Sequence, residues 1–214
     1  MSLGSEKGFY VVFEGIPKCG KTTQVRLLTE KLREKYGKEQ VMTTREPGGT
    51  YIAEDIRRVV QEKDYGDEPM DPVTEAYLYA ASRAQSLRDL VKPALDKGRI
   101  VVADRSYISS VVFQGWGRDL GIDRVLKINE EAINGLKPDL AIFLDTPISE
   151  VRKRELDLVG DKFERLGMDF FEKVRQGYLY LMSAGMLGLV MVDGEGSIDE
   201  VHQRIMSVVS DKSI

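Results

Sequence analysis

Apolar residues fall along this chain in short runs separated by longer amphipathic stretches. The run FYVVFE at 9–14 is β-branched and aromatic and is bounded by glycines, which predicts a buried strand. Runs at 41–45, 99–104, 140–145 and 189–193 have the same character. Between them the pattern predicts helices over 21–36, 51–61, 72–82, 86–97, 106–115, 123–136, 149–156, 161–184 and 197–209. Near-continuous apolar strands alternating with helices imply a parallel sheet covered by helices on both faces. The expected fold is therefore an α/β three-layer sandwich with a five-stranded parallel sheet, formed by 1–214 as a single domain.

In such sheets ligands bind beyond the carboxyl ends of the strands. That makes the residues at those ends informative. The first strand runs into a glycine loop, the second ends at Arg45, the third at Asp104 and Arg105, the fourth at Asp145 and the fifth at Asp193. One rim thus collects a loop, two arginines and several carboxylates.

Composition narrows the partners. The formal charge is −4, so nucleic acid is not an expected partner, though a local basic cleft can hold a small anion. Cys19 is the only cysteine, which rules out an internal disulfide and fits a reducing cytoplasm. No apolar run is of membrane-spanning length, and MSLGSEKG at the start has no apolar signal core. The expectation is a cytoplasmic protein with no membrane partner.

The loop GIPKCGKTT, Gly15 to Thr23, follows a strand and opens a helix. Its Gly-x-x-x-x-Gly-Lys-Thr spacing fits a phosphate-binding P-loop, and with it a P-loop NTPase-type architecture. Gly15 and Gly20 let the backbone fold so that several N–H groups point inward, the helix adds its positive end, and the whole stretch Gly15, Ile16, Pro17, Lys18, Cys19, Gly20, Lys21, Thr22 and Thr23 is expected to line the ATP site. Lys21 is expected to reach the outer phosphates of ATP, and Thr22 to offer its hydroxyl to Mg²⁺. Pro17 fixes φ and supplies no donor, Cys19 reads as a small space-filler, and Lys18 is placed to meet the transferred phosphoryl group. Arg45 and Arg105 can clamp a second anion opposite those phosphates. Asp104 is one candidate for the metal and Asp145 another, and the sequence leaves that choice open. A GTPase is not expected, because no Asn/Thr-Lys-x-Asp element is present.

Behind this loop, TREPGGT (44–50), ASR (81–83), DRSYISSVVFQG (104–115) and KPDLAIFLD (137–145) resemble the thymidylate kinase family, and the likeness runs on to VDGEGSIDEV (192–201). The resemblance implies transfer of the γ-phosphoryl of ATP to dTMP, with Mg²⁺, in a protein that commonly forms homodimers. It implies that Arg45 and Arg105 grip the dTMP phosphate, with Pro47 beside them. It further implies that Tyr79 stacks on thymine, that Arg83 bonds the base, and that Ser109, Phe113 and Gln114 line the thymidine pocket. The stretch 150–165 matches the family's lid, where Arg152, placed with ATP, or Arg154 would assist Lys18 as the basic contributor.

The loop departs from the family pattern in ways that bear on activity. Pro17 stands where an acidic residue is usual, Lys18 where arginine is frequent, and Ser106 where an aromatic commonly follows Asp-Arg. These changes are expected to leave fold and ATP binding intact and to act on sugar choice and rate. Two other functions are therefore weighed: a related nucleotide or deoxynucleoside kinase with altered preference, and a nucleotide-binding paralogue with weak catalysis.

Overall fold

The computed structural model describes residues 7–63, 65–153 and 167–212. Strands β1 (Phe9–Glu14), β2 (Val41–Arg45), β3 (Ile100–Asp104), β4 (Leu140–Asp145) and β5 (Leu189–Asp193) form one sheet in the order β2-β3-β1-β4-β5. Every pairing is parallel. The register brings the carboxyl ends level: Asp104 lies opposite both Phe13 and Arg45, and Asp145 opposite Asp193. The predicted five-stranded parallel sheet is what the chain forms.

The central strands β1, β3 and β4 are buried along consecutive residues, so both of their faces are covered. The outer strands β2 and β5 carry exposed positions. Short, part-exposed edges limit unwanted strand pairing. Helix α1 (Lys21–Tyr36) starts at the glycine loop and packs on β1, β2 and β3.

Helix α2 (Tyr51–Arg57) is capped by the Thr50 hydroxyl, which accepts from Ala53 N, and runs on through a wide turn, Arg58–Glu62. Helix α3 (Pro72–Ser86) is capped by the Asp71 carboxylate and has Pro72 in its first turn, where a missing N–H costs nothing. The predicted break after residue 82 is absent: α3 continues through a wide turn, Leu87–Val91, into α4 (Lys92–Asp96). The two serines at this junction are satisfied within the fold. Ser82 Oγ donates across to Ala53 O on α2, and Ser86 Oγ donates back to Arg83 O of its own helix, an i to i−3 bond that the continuing helix accommodates.

Helix α5 (Tyr107–Ser110) is capped by Ser106 and continues as a wide-turn segment, Val111–Gly117. Helix α6 (Ile122–Ile133) stops short of residue 136 because Asn134 turns left-handed, with φ of 44°. Asparagine tolerates that conformation, and Gly135 follows it. Helices α7 (Ile148–Lys153) and α8 (Gly167–Ser183) flank residues 154–166, which lie outside the described residues and include most of the predicted lid. Helix α9 (Ile198–Ser210) begins with a full capping box from Ser197 and Glu200 and packs beside α1.

Candidate active site

The loop between β1 and α1 has its shape forced by two glycines. Gly15 has φ of 140°, and a Cβ there would come within 2.8 Å of Leu144 O. Gly20, at the start of α1, has φ of 104°. Lys18 also takes a left-handed φ, 61°, without being glycine. Such strain persists only where surrounding structure enforces it. Cys19 is buried with its sulfur close against Gly15, which fits the space-filling role read from the sequence.

Lys21 is buried, and its Nζ donates to Ile16 O at 2.7 Å. Burial, with the nearby Arg105 charge, holds its pKa below the ordinary lysine value. Thr22 donates to the Asp104 carboxylate at 2.8 Å. Two hard oxygen donors side by side at the foot of the loop suit Mg²⁺, which takes few protein ligands and keeps several waters. Asp145 is committed elsewhere: Arg175 on α8 grips it with two bonds, at 2.6 and 2.9 Å. The geometry therefore favours Asp104 over Asp145 as the metal candidate.

Two hollows open on this rim and meet at the loop. The loop cleft is lined by Lys18 through Gln24 and, opposite them, by Leu144, Gly194, Gly196, Ser197, Ile198 and Val201. The inner pocket is lined by Pro17, Pro47, Tyr79, Arg83, Arg105, Ser109, Phe113 and Gln114, together with Glu46, Gln61, Ser106 and Ser110. Pro17 and Lys18 are consecutive, yet they face different hollows.

Arg105 is held in the inner pocket from several sides. Its backbone has φ of 75°, and its N–H donates to Phe13 O at 2.9 Å. Its Nη1 donates to Gly15 O at 2.8 Å and to Ser109 Oγ at 3.1 Å, and its guanidinium lies 5.1 Å from the centre of the Phe113 ring. Burial works against its charge, but Tyr178, Asp104 and Glu14 outweigh burial and raise its pKa. Beneath it, Glu14 is fully buried and accepts from Ser106 Oγ at 2.6 Å, Ser109 Oγ at 2.5 Å and Tyr178 Oη at 2.9 Å. Burial and Glu14 push the Tyr178 phenol well above its ordinary pKa, so it stays a donor.

Comparison with known proteins follows the same outline. The family model for thymidylate kinase matches residues 13–205. The chain belongs to the thymidylate kinase family. It is 41% identical to the thymidylate kinase of Thermoanaerobacter sp. (strain X514) over 204 residues, 95% of this chain and 98% of that protein. It is 45% identical to that of Desulforudis audaxviator (strain MP104C) over 188 residues, 88% and 84% of the two chains. The crystal structure of thymidylate kinase from Ehrlichia chaffeensis superposes with a TM-score of 0.77 at 27% identity, over 95% of this chain and 99% of that one.

Within this family frame, the predicted residues do not all gather where the sequence put them. Pro47, Tyr79, Arg83, Arg105, Ser109, Phe113 and Gln114 line the inner pocket together. Arg45 does not: it is exposed and paired with Glu54 at 3.0 Å. Arg83 is there, but buried and tied to Glu46 at 2.6 Å, to Asn129, to Ser106 O and to Ser110 Oγ. One Nη1 N–H is left for anything in the pocket. Burial, only partly offset by Arg83, holds the Glu46 carboxyl above its ordinary pKa.

Pro17, expected on the ATP side, faces the inner pocket instead. Arg152 is exposed on α7 and lines neither hollow, and Arg154 lies outside the described residues. His202 on α9 is half-buried and meets Gln24 at 3.1 Å.

Sequence reasoning missed Glu14, Glu46, Gln61, Glu75 and Asn129, which support or line the inner pocket, and the wall of the loop cleft from Gly194 to Val201. The Ser-Ile-Asp-Glu start of α9 directly after a strand end was a legible signal for that wall. The buried acids gave none, because a lone Glu reads as surface whether it ends a strand, as Glu14 does, follows one, as Glu46 does, or opens a helix, as Glu75 does.

Proposed function

We propose that this chain transfers the γ-phosphoryl group of ATP to dTMP, giving dTDP and ADP. Family membership supports the reaction class. The observation that carries the reading is that consecutive loop residues, Pro17 and Lys18, form walls of two separate hollows. Two phosphates placed in them meet across the loop, as an in-line displacement requires.

In this reading the loop cleft takes ATP, with N–H groups of the loop and Lys21 on its outer phosphates. Lys21 would exchange its bond to Ile16 O for phosphate oxygens. Thr22 and Asp104 hold Mg²⁺, which when bound neutralises phosphate charge. The inner pocket takes dTMP. Tyr79 and Phe113 flank the base, Arg83 and Gln114 read its edge, and Arg105 holds the phosphate. Arg45 joins Arg105 by leaving Glu54, a surface pair worth about 1 kcal/mol or less. A phosphate oxygen of dTMP attacks the γ-phosphorus as the bond to the ADP oxygen breaks. Lys18, with Arg152 and Arg154 of the 150–165 lid, supplies positive charge around the transferring group.

The enzyme is read as one kinase domain that works as a cytoplasmic homodimer. Family resemblance supports the dimer, and exposed Tyr51, Ile52 and Tyr77 on α2 and α3 offer apolar surface for it. The single buried cysteine is compatible with a reducing compartment. Among the described residues no helix is long and apolar enough to cross a membrane.

A coupled ADP-release assay with dTMP, dUMP, UMP and thymidine tests the reaction. Release that depends on dTMP supports it. ATP binding without dTMP-dependent release would favour the weakly catalytic paralogue, and a stronger response to another acceptor would favour the altered-preference kinase.

A further inference from the structure

Glu75 has no exposed surface, and the phosphoryl transfer described above makes no use of it. It lies in the first turn of α3. Its Oε1 accepts from Gln114 Nε2 at 2.9 Å, and its Oε2 accepts from Arg118 Nη2 at 3.2 Å. Arg118 in turn lies over the Phe170 ring, 5.5 Å from its centre. Gln114 is 1% exposed and lines the inner pocket.

A carboxylate paired with arginine only accepts hydrogen bonds, whereas a glutamine amide has one donating end and one accepting end. Glu75 therefore dictates which end of Gln114 goes where. Nε2 turns to Glu75, so the carbonyl Oε1 is the end turned away from that carboxylate, on a side chain that lines the pocket. Among the described residues nothing donates to that oxygen.

We infer that Glu75 is a positioning residue for base choice: by holding Gln114 with its carbonyl inward, it selects a pyrimidine nucleotide whose N3 carries a hydrogen. Thymine and uracil carry that N–H. Cytosine has a bare N3, which would face Oε1 acceptor against acceptor. Glu75 itself touches no substrate. The inference rests on reading the inner pocket as the dTMP site.

Glu75→Gln tests it. The new amide can offer either end to Gln114, so Gln114 is no longer held carbonyl-inward. The ratio of kcat/KM for dTMP to that for dCMP is expected to fall about 10- to 100-fold. The change should come through KM for dTMP, with KM for ATP unmoved, whereas a merely structural defect would leave the dTMP-to-dCMP ratio alone. A folded Glu75→Gln enzyme with the wild-type ratio overturns the inference while leaving the kinase reading intact. Should that variant not fold, the wild-type protein is titrated calorimetrically with dTMP and N3-methyl-dTMP. The methylated ligand is expected to bind at least about 10-fold more weakly, and equal binding overturns the inference. A wild type with no dTMP turnover at all sinks the proposed function first, and this inference with it.

Discussion

The two hollows meet at one loop, yet they are built from different materials. In the loop cleft the backbone dominates, and among the described residues that line it Lys21 is the one buried charged side chain. In the inner pocket, buried charged side chains dominate: Glu46 and Arg83 line it, and Glu14 and Glu75 brace it from behind. The contrast predicts different tolerances. A backbone-built cradle accepts variation in side chains pointing away from its N–H groups, as the Pro17, Lys18 and Cys19 sequence illustrates. A cradle of mutually satisfied charges does not, because removing one member leaves its partners buried and unpaired.

The sharpest way to break the contrast is to remove one buried charge from each side. Arg83→Met deletes the cation that satisfies Glu46 and Asn129. It should cost about 3–5 kcal/mol of stability, or a fall in Tm of roughly 6–20 °C for a chain of this size, read by calorimetry. Lys21→Ala should behave differently, lowering kcat about 10²- to 10³-fold with a much smaller change in Tm and dTMP affinity preserved. If Lys21→Ala proves the more damaging to Tm, the two sites are not built as described.

The same contrast explains what could be read in advance. The loop side of the cleft was legible because its determinants are contiguous: the glycine spacing, the lysine and the threonine specify it within one stretch from Gly15 to Thr23, whereas the wall from Gly194 to Val201 lies outside that stretch. The sheet was legible because strands buried on both faces are apolar throughout. The inner pocket was legible only through family resemblance, since its walls come from residues 17 to 114 and depend on the packing of α3 against α5 and the segment after it. Its supporting acids were invisible. Nothing local marks Glu14 as the acceptor for three hydroxyls, and one of those, Tyr178, is 164 residues away. Arg45 shows the converse limit: strand-end position was read correctly, but side-chain direction is set here by Glu54.

A milder change sharpens the picture within the inner pocket. Ser109 links Glu14 to Arg105, so Ser109→Ala removes one hydroxyl from the acid and one acceptor from the guanidinium. Glu14 retains Ser106 and Tyr178, so the stability cost should be only about 1 kcal/mol. The main effect should be on KM for dTMP, about 3- to 10-fold, with KM for ATP unmoved. Equal changes for both substrates would mean that Ser109 supports the loop as a whole and not Arg105 in particular.

The smallest expected effect sits behind the loop cleft. Gln24 donates through Nε2 to Ile198 O at 3.0 Å, which turns its Oε1 toward His202 Nδ1. His202 therefore carries a proton on Nδ1 in its neutral form. Burial first, and then Lys31, against an opposing pull from Asp199, set its pKa below the ordinary histidine value. A depressed histidine means that the unfolded chain binds the proton more readily than the folded one. Stability then rises with pH through this group's range, and is lost as pH falls below the unfolded value of about 6.5. The ring is only half-buried, so the loss should be a few tenths of a kcal/mol, or about 1 °C in Tm for a chain of this length. Other groups also titrate in acid, so the informative quantity is the difference in Tm between wild type and His202→Gln at pH 5.5 and pH 7.5. A difference that grows toward acid, with wild type the less favoured, supports the assignment. A difference that does not change with pH would leave His202 as packing alone and confine the titrating support of this enzyme to the inner pocket.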